Sequence, residues 1–193
     1  MKLYMVSLGC DKNRVDSEKL LSSLLLKYPG SSVTDDPEEA ELAIVNTCSF
    51  IGPAKEESIQ TILALGEYKK TARLQRLLVA GCLAERYREE IRKELPEVDE
   101  VIGVSDYLSR LDLQMERVAS GEQYSDYLKI AEGCDKYCSY CIIPKLRGHY
   151  RSIPMEHLLR EAEQLSLRGV KELNLVAQET TLYGTDLYGR KAL

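Results

Sequence analysis

The sequence predicts an α/β protein, a doubly wound parallel-sheet domain followed by a separate βαβ unit. Three observations predict it. Over roughly the first hundred residues, short β-branched or aliphatic runs alternate with longer stretches at helical spacing, the pattern of βα units in a parallel sheet. The same alternation restarts near residue 126. Finally, Gly9-Cys10, Thr47-Cys48 and Gly81-Cys82 each stand where a strand run gives way to the next helical stretch. In an open parallel sheet those strand ends share one edge, and ligand sites form there.

In chain order, the first strand is expected over Leu3–Leu8, and a helix over Asp16–Tyr28 carries Leu20, Leu21, Leu24 and Leu25 at helical spacing. Tyr28-Pro29-Gly30 supplies its stop. A second strand follows at Leu42–Thr47, then a helix over Lys55–Lys70 with Ile59, Ile62 and Leu63 as its apolar positions. Strand Leu77–Ala80, helix Ala84–Leu95 stopped at Pro96, and strand Val101–Val104 complete the sheet. Ser105–Ala119 reads as a further helix, and Ser120-Gly121-Glu122-Gln123 as linker sequence. The later unit is strand Asp126–Ala131, helix Met155–Leu167 with Leu158, Leu159, Ala162 and Leu165 on one face, a stop at Gly169, and strand Glu172–Ala177. The expected division is a domain over 1–120, a linker over 121–125 and a second segment over 126–193.

At 193 residues the chain can bury a sizeable core. Its net charge of −5 is uneven: residues 1–120 carry 16 Lys/Arg against 21 Asp/Glu, and residues 121–193 carry 10 of each. That balance excludes a general nucleic-acid binder, so no stable nucleic-acid partner is expected. No apolar run is long enough to cross a membrane, and Met1-Lys2-Leu3 leads into a strand rather than a signal-peptide core. A cytoplasmic protein with reduced thiols is expected. The one basic run, Lys145-Leu146-Arg147-Gly148-His149-Tyr150-Arg151, reads either as a solvated loop or as a grip on an anionic ligand or partner.

The chemistry is concentrated in Cys134-Asp135-Lys136-Tyr137-Cys138-Ser139-Tyr140-Cys141. Three thiolates at this spacing can hold three irons of a [4Fe–4S] cluster and leave the fourth open to a substrate or cofactor, whereas electron-transfer clusters are closed by four cysteines. The alternative is zinc, which usually wants four ligands. No second Cys-x-x-Cys pair follows, and His149 and His157 lack the paired spacing of zinc ligands. Cys10, Cys48 and Cys82 read either as a second three-cysteine cluster or as three separately buried cysteines. With a cluster triplet elsewhere in the chain, the second cluster is the better reading, helped by helix N-termini that favour thiolate.

The eight-residue element, with Tyr140 just before its last cysteine, resembles the radical S-adenosylmethionine (SAM) signature. Together with Ser7-Leu8-Gly9-Cys10-Asp11-Lys12-Asn13, Asp16-Ser17-Glu18, Asn46-Thr47-Cys48-Ser49-Phe50-Ile51 and Ala54-Lys55-Glu56-Glu57-Ser58-Ile59, it makes nearly the whole chain similar to the radical SAM methylthiotransferases. These residues, with Tyr127–Cys134 and Gln178–Gly184, resemble the branch that modifies an aspartate of small-subunit ribosomal protein S-twelve more than the tRNA-modifying branch. The resemblance implies two [4Fe–4S] clusters and SAM as cofactors. Cys134, Cys138 and Cys141 would hold the SAM-cleaving cluster, and Cys10, Cys48 and Cys82 the auxiliary one.

It further implies an external electron donor, a radical drawn from SAM that abstracts hydrogen from the aspartate β-carbon, and a methylthio group placed there. Tyr140 and Gln178 are the residues expected near SAM, Gln178 because it ends a strand on the edge that carries the cysteine loop. Residues 126–193 are expected to be the first βαβ unit of a truncated radical SAM (βα) barrel, with the further units and a C-terminal β-domain of the family absent. Two alternatives stay open: a tRNA methylthiotransferase, and an iron–sulfur binding fragment without catalysis.

Overall fold

A computed structural model describes residues 1–106, 117–118 and 124–193. The chain divides into two compact units, Met1–Leu111 and Asp112–Leu193.

The first unit is a five-stranded parallel sheet in the order β2-β1-β3-β4-β5, with β1 at Lys2–Ser7, β2 at Ser32–Val33, β3 at Leu42–Thr47, β4 at Arg76–Gly81 and β5 at Glu100–Ile102. This is a doubly wound strand order, whose switch point lies between β1 and β3. Every residue of β3 is buried, so it reads as an unbroken Leu-Ala-Ile-Val run rather than an alternating one. Ala43, Val45, Leu77 and Val79 pack with Ile62, Leu65, Leu83 and Ile91 into the core of this unit.

The connecting helices are α1 (Asp11–Lys27), α2 (Gly52–Thr71), and a pair, α3 (Cys82–Arg86) and α4 (Arg88–Glu94). Helix α1 begins five residues before the expected start, because its first turns bury Asn13, Asp16 and Ser17 and so show no apolar period. The expected helix over 84–95 is two helices, parted at Tyr87 with φ −127° and ψ 38°. The Tyr87 ring packs on the core between the Lys55 and Arg86 cations, 5.5 and 5.1 Å from its centre. In α2 the buried face is Ser58, Ile62, Leu65 and Gly66 at i, i+4, i+7 and i+8; Leu63 falls off that stripe and is exposed. Strand β2 is too short and too exposed to carry an apolar pattern, and sequence reasoning did not find it.

In the second unit, β6 (Ser125–Lys129) and β9 (Glu172–Val176) pair in parallel around α6 (Met155–Leu167). The single strand expected over 126–131 breaks at Ile130, and β7 (Ala131–Glu132) turns aside to pair antiparallel with β8 (Arg151–Ser152). A short helix, α5 (Ile143–Arg147), lies between them, and α7 (Thr185–Tyr188) follows β9. Leu128, Ile130, Ile153, Leu158 and Tyr183 form the core here. Leu159, expected on the buried face of α6, is 64% exposed, since the stripe runs through 158, 162 and 165 and position 159 lies about 100° away. Helix α6 ends at Leu167, and Gly169 follows in the left-handed region at φ +95°. The helix expected over Ser105–Ala119 and the linker sequence at 120–123 fall mainly outside the described residues. Among the described residues, no helix is long and apolar enough to cross a membrane.

Candidate functional site

All six cysteines are free thiols. Cys10, Cys48 and Cys82 directly follow or lie just beyond the carboxyl ends of β1, β3 and β4, three strands adjacent in the sheet and flanking its switch point. Strand register brings their stems together: Ser7 pairs with Asn46, and Thr47 with Gly81. Gly9 has φ +89°, and a Cβ built on it would lie 2.7 Å from Cys48 Cβ and 2.9 Å from its Sγ, so the Cys10 turn presses directly on Cys48. Gly81, at φ +93°, would place a Cβ 2.2 Å from Asn46 Oδ1 and 2.5 Å from the Thr47 carbonyl, which brings the Cys82 turn against the other side of the same strand end.

A buried polar lattice fixes these turns. Asn13 Nδ2 donates to the carbonyls of Leu8 (2.9 Å) and Thr47 (3.0 Å), tying α1 to both strand ends. Asn46 Nδ2 returns a bond to the Asn13 carbonyl and one to Ser17 Oγ, both 2.9 Å. Ser58 Oγ accepts from the Cys48 amide at 3.0 Å. Asn46 Oδ1 is buried beside Gly81 and has no hydrogen-bond partner among the described residues. Sequence reasoning did not single out Asn13, Ser17 or Asn46 as supports; the signal was an asparagine in an otherwise apolar, fully buried strand.

Cys48 and Cys82 are buried, but Cys10 is exposed. Three separately buried structural cysteines therefore do not describe this edge. The donor set, three free thiols on three converging turns with one open to solvent, fits a soft metal–sulfide group. Among the described residues, no three His, Cys, Asp or Glu side chains already stand as a metal-ligand set.

The second triplet lies on one loop. Cys134 and Cys141 are half-buried and Cys138 is exposed. The β7·β8 pair closes the base of the loop, the Cys134 amide donates to the Gly148 carbonyl at 3.2 Å, and the Cys141 amide donates to the Cys138 carbonyl at 2.9 Å. Asp135 braces the loop from within, accepting from the Tyr150 amide at 3.2 Å and meeting His149 Nδ1 at 2.8 Å. Tyr137 adopts φ +46°, the one left-handed non-glycine among the described residues, and this turns the chain between Cys134 and Cys138. At Gly133 a Cβ would lie 2.1 Å from the His149 carbonyl, so only glycine allows the returning strand this close. The loop thus presents three thiols from a braced, partly exposed turn, which again fits a cluster with one open position.

Beneath the loop lies a buried charge cluster. Glu132 Oε2 accepts from Lys129 Nζ at 2.8 Å and Arg147 at 3.3 Å, and all three side chains are nearly inaccessible. Arg147, part of the basic run, is therefore neither solvated nor free to grip an anion. Gln178 lies in a bend two residues beyond β9, which ends at Val176 and not at the expected Ala177, and engages this cluster: its Nε2 donates to Glu132 Oε1 at 2.7 Å and its Oε1 accepts from the Gly133 amide at 3.0 Å. Tyr140 is 90% exposed beside Cys141. Next to Gln178, Glu179 pairs with Lys136 and accepts from the Thr181 amide at 2.9 Å.

The Lys136 hydrogen bond, then that of the Thr181 hydroxyl, hold the Glu179 carboxyl down at about 2 against an ordinary 4.5, while Glu179 raises the Lys136 ammonium above 10.5. A depressed carboxyl contributes stability that is complete above its unfolded value and is lost as pH falls through its folded one. The pair is therefore expected to be intact across the neutral range and to fail only on acidification from about 4.5 toward about 2. Carbon-detected NMR of the Glu179 carboxyl checks this, and Lys136→Gln should return its titration toward the ordinary range.

Comparison with known proteins adds the following. Residues 2–103, more than half of the chain, match the family described as uncharacterized protein family UPF0004, and residues 128–192 match the radical SAM superfamily. The whole chain is 51% identical to the ribosomal protein uS12 methylthiotransferase RimO of Lachnoclostridium phytofermentans, 46% to that of Clostridium botulinum and 44% to that of Clostridium acetobutylicum, covering 48% of each. It spans about half the length of the relatives it matches. Among solved structures, the radical S-adenosylmethionine methyltransferase TsrM of Kitasatospora setae aligns over 94% of this chain and 48% of its own, with a TM-score of 0.60 and 12% identity, a likeness of fold alone.

Proposed function

The chain belongs to family UPF0004 and, within it, to the RimO-type radical SAM methylthiotransferases, and from that premise we propose that it carries the cofactor-binding portion of an enzyme that methylthiolates the β-carbon of an aspartate in ribosomal protein uS12. The observation that carries the reading is the pair of three-thiol sets: one assembled from three turns at a sheet switch point, the other contained in one braced loop.

Cys134, Cys138 and Cys141 would hold a [4Fe–4S] cluster that binds SAM, and Cys10, Cys48 and Cys82 a second cluster. When bound, these groups supply one-electron cleavage and sulfur-transfer chemistry that amino-acid side chains lack. The work of the chain is positional. The Asn13–Asn46 lattice and the left-handed glycines hold the first three thiols at one edge, while β7·β8 and the Glu132 cluster hold the second loop on its sheet. Each set leaves one thiol exposed, Cys10 and Cys138, through which an iron–sulfide group and an incoming reactant can be reached. An electron donor and uS12 are the partners this reading requires.

Anaerobic reconstitution with iron and sulfide tests it. Two cubane clusters predict about eight irons per chain, falling to about four in Cys134→Ala and to about four in Cys10→Ala. A content of about four that vanishes with either variant would mean one shared site and would sink the two-cluster assignment.

A further inference from the structure

Two residues just beyond β9 engage the cysteine loop on both sides of its first thiol. Gln178 reaches the residues before Cys134: Oε1 accepts from the Gly133 amide at 3.0 Å, and Nε2 donates to Glu132 Oε1 at 2.7 Å. Glu179 reaches the residue two beyond it, its carboxylate paired with Lys136. Neither side chain is free to swing. The Glu132 carboxylate that receives Gln178 is buried and also bound by Lys129 and Arg147, and the Glu179 carboxylate is oriented from behind by the amide and hydroxyl of Thr181. The doublet thus takes hold of the chain at 133 and at 136, with Cys134 between the two grips.

We infer that Gln178 and Glu179 are positioning residues that clamp the cysteine loop, fixing Cys134 before any cluster or SAM arrives. The inference rests on the assignment of Cys134 as a ligand, and it gives Gln178 a different task from contact with SAM: its amide is committed at both ends to the loop. The anchoring belongs to the chain itself. The loop is joined to β7 and β8 at its base, and apart from the doublet its first thiol is held by the 3.2 Å bond from the Cys134 amide to the Gly148 carbonyl and by the contacts of Asp135 with Tyr150 and His149.

The test uses the reduced, metal-free full chain, and needs no activity. Alkylation rates of Cys134, Cys138 and Cys141 are read by peptide mass spectrometry beside hydrogen exchange over residues 133–142, with Cys82 in the other unit as internal reference. Glu179→Lys is expected to speed Cys134 alkylation by about fivefold, the weight of a good exposed ion pair. Gln178→Ala, which removes a bond to a buried carboxylate, is expected to speed it more than tenfold. The exchanged pair Lys136→Glu with Glu179→Lys should return the rate to within about twofold of the parent, which simple loss of folding would not do. Cys82 should be unchanged throughout.

If Gln178→Ala and Glu179→Lys leave loop exchange and Cys134 alkylation unaltered, the clamp is wrong; weakened SAM binding in the same variants after reconstitution would then assign the doublet to the cofactor. If the rates change as stated but Cys134 binds no iron in the parent, the clamp stands and the proposed function falls.

Discussion

Glu132→Ala is expected to destabilise the second unit by about 3–5 kcal/mol, the range found when one member of a buried ion pair is deleted. Burying a carboxylate and two cations is costly, and the cost is recovered only while the charges face one another. Glu132 is 5% exposed, Lys129 3% and Arg147 5%, so water cannot take over the carboxylate's role. Its removal withdraws one acceptor from both cations and a second from Gln178 and the Gly133 amide. Urea unfolding followed by tyrosine fluorescence measures the loss; the chain has 12 tyrosines and no tryptophan. Adding Lys129→Met to Glu132→Gln should recover part of what Glu132→Gln loses, because it removes one of the two buried cations that loss of the carboxylate charge leaves unopposed. A cost below about 1 kcal/mol for Glu132→Ala would show that these charges are solvated and not buried.

In the first unit the largest effect is expected from Gly81→Ala. The residue has φ +93° and ψ −156°, a conformation that costs a side-chain-bearing residue about 1–3 kcal/mol. The new methyl would also meet Asn46 Oδ1 at 2.2 Å and the Thr47 carbonyl at 2.5 Å, neither the tip of a flexible side chain able to swing away without breaking the Asn13–Asn46 lattice. Overpacking of that kind adds about 1–3 kcal/mol, so a total of about 2–6 kcal/mol is expected. Gly30→Ala separates the two contributions: φ there is +82°, but nothing lies within 4 Å of the new methyl, so only the backbone cost remains. The measurement is the unfolding midpoint of both variants together with the Cys82 reaction rate toward a thiol reagent. Equal destabilisation by the two substitutions would mean that the close approach at Gly81 relaxes without cost.

The parallel sheets and the placing of all six cysteines were legible because both follow from periodicity. Strand β3 agrees with its expected bounds, Leu42–Thr47, since a fully buried strand is an uninterrupted apolar run with sharp ends. Helix α1 was read five residues short because its N-terminal turn buries Asn13, Asp16 and Ser17, and helical pattern recognition counts apolar residues only. Leu63 and Leu159 were placed on buried faces because each adjoins a residue that is buried, Ile62 and Leu158; adjacent residues on a helix differ by about 100°, enough to carry the second leucine into solvent. The Glu132 cluster was illegible for another reason. Lys129, Glu132 and Arg147 come from three elements and Gln178 from the bend after β9, and charged residues are read as surface unless their partners are known. Gln178 was expected at a strand end near SAM; it lies two residues beyond β9, and its hydrogen-bond partners could only come from the fold.

The two thiol sets differ in when they can exist during synthesis. Cys134 to Cys141 span eight residues and the strand that closes their loop ends at Ser152, so the set is synthesised within roughly 1–4 s at 5–20 residues per second. Cys10 and Cys82 are 72 positions apart, and their turns meet only once β4 has joined β3, so the first thiols wait roughly 4–14 s for the third. Over that interval the nascent chain carries cysteines that the folded sheet edge does not yet protect. On the proposed assignment, a cluster at the sheet edge would load only after the first unit has folded, whereas the loop carries its three thiols on one short segment. Oxidative stress during synthesis should accordingly damage the dispersed set first.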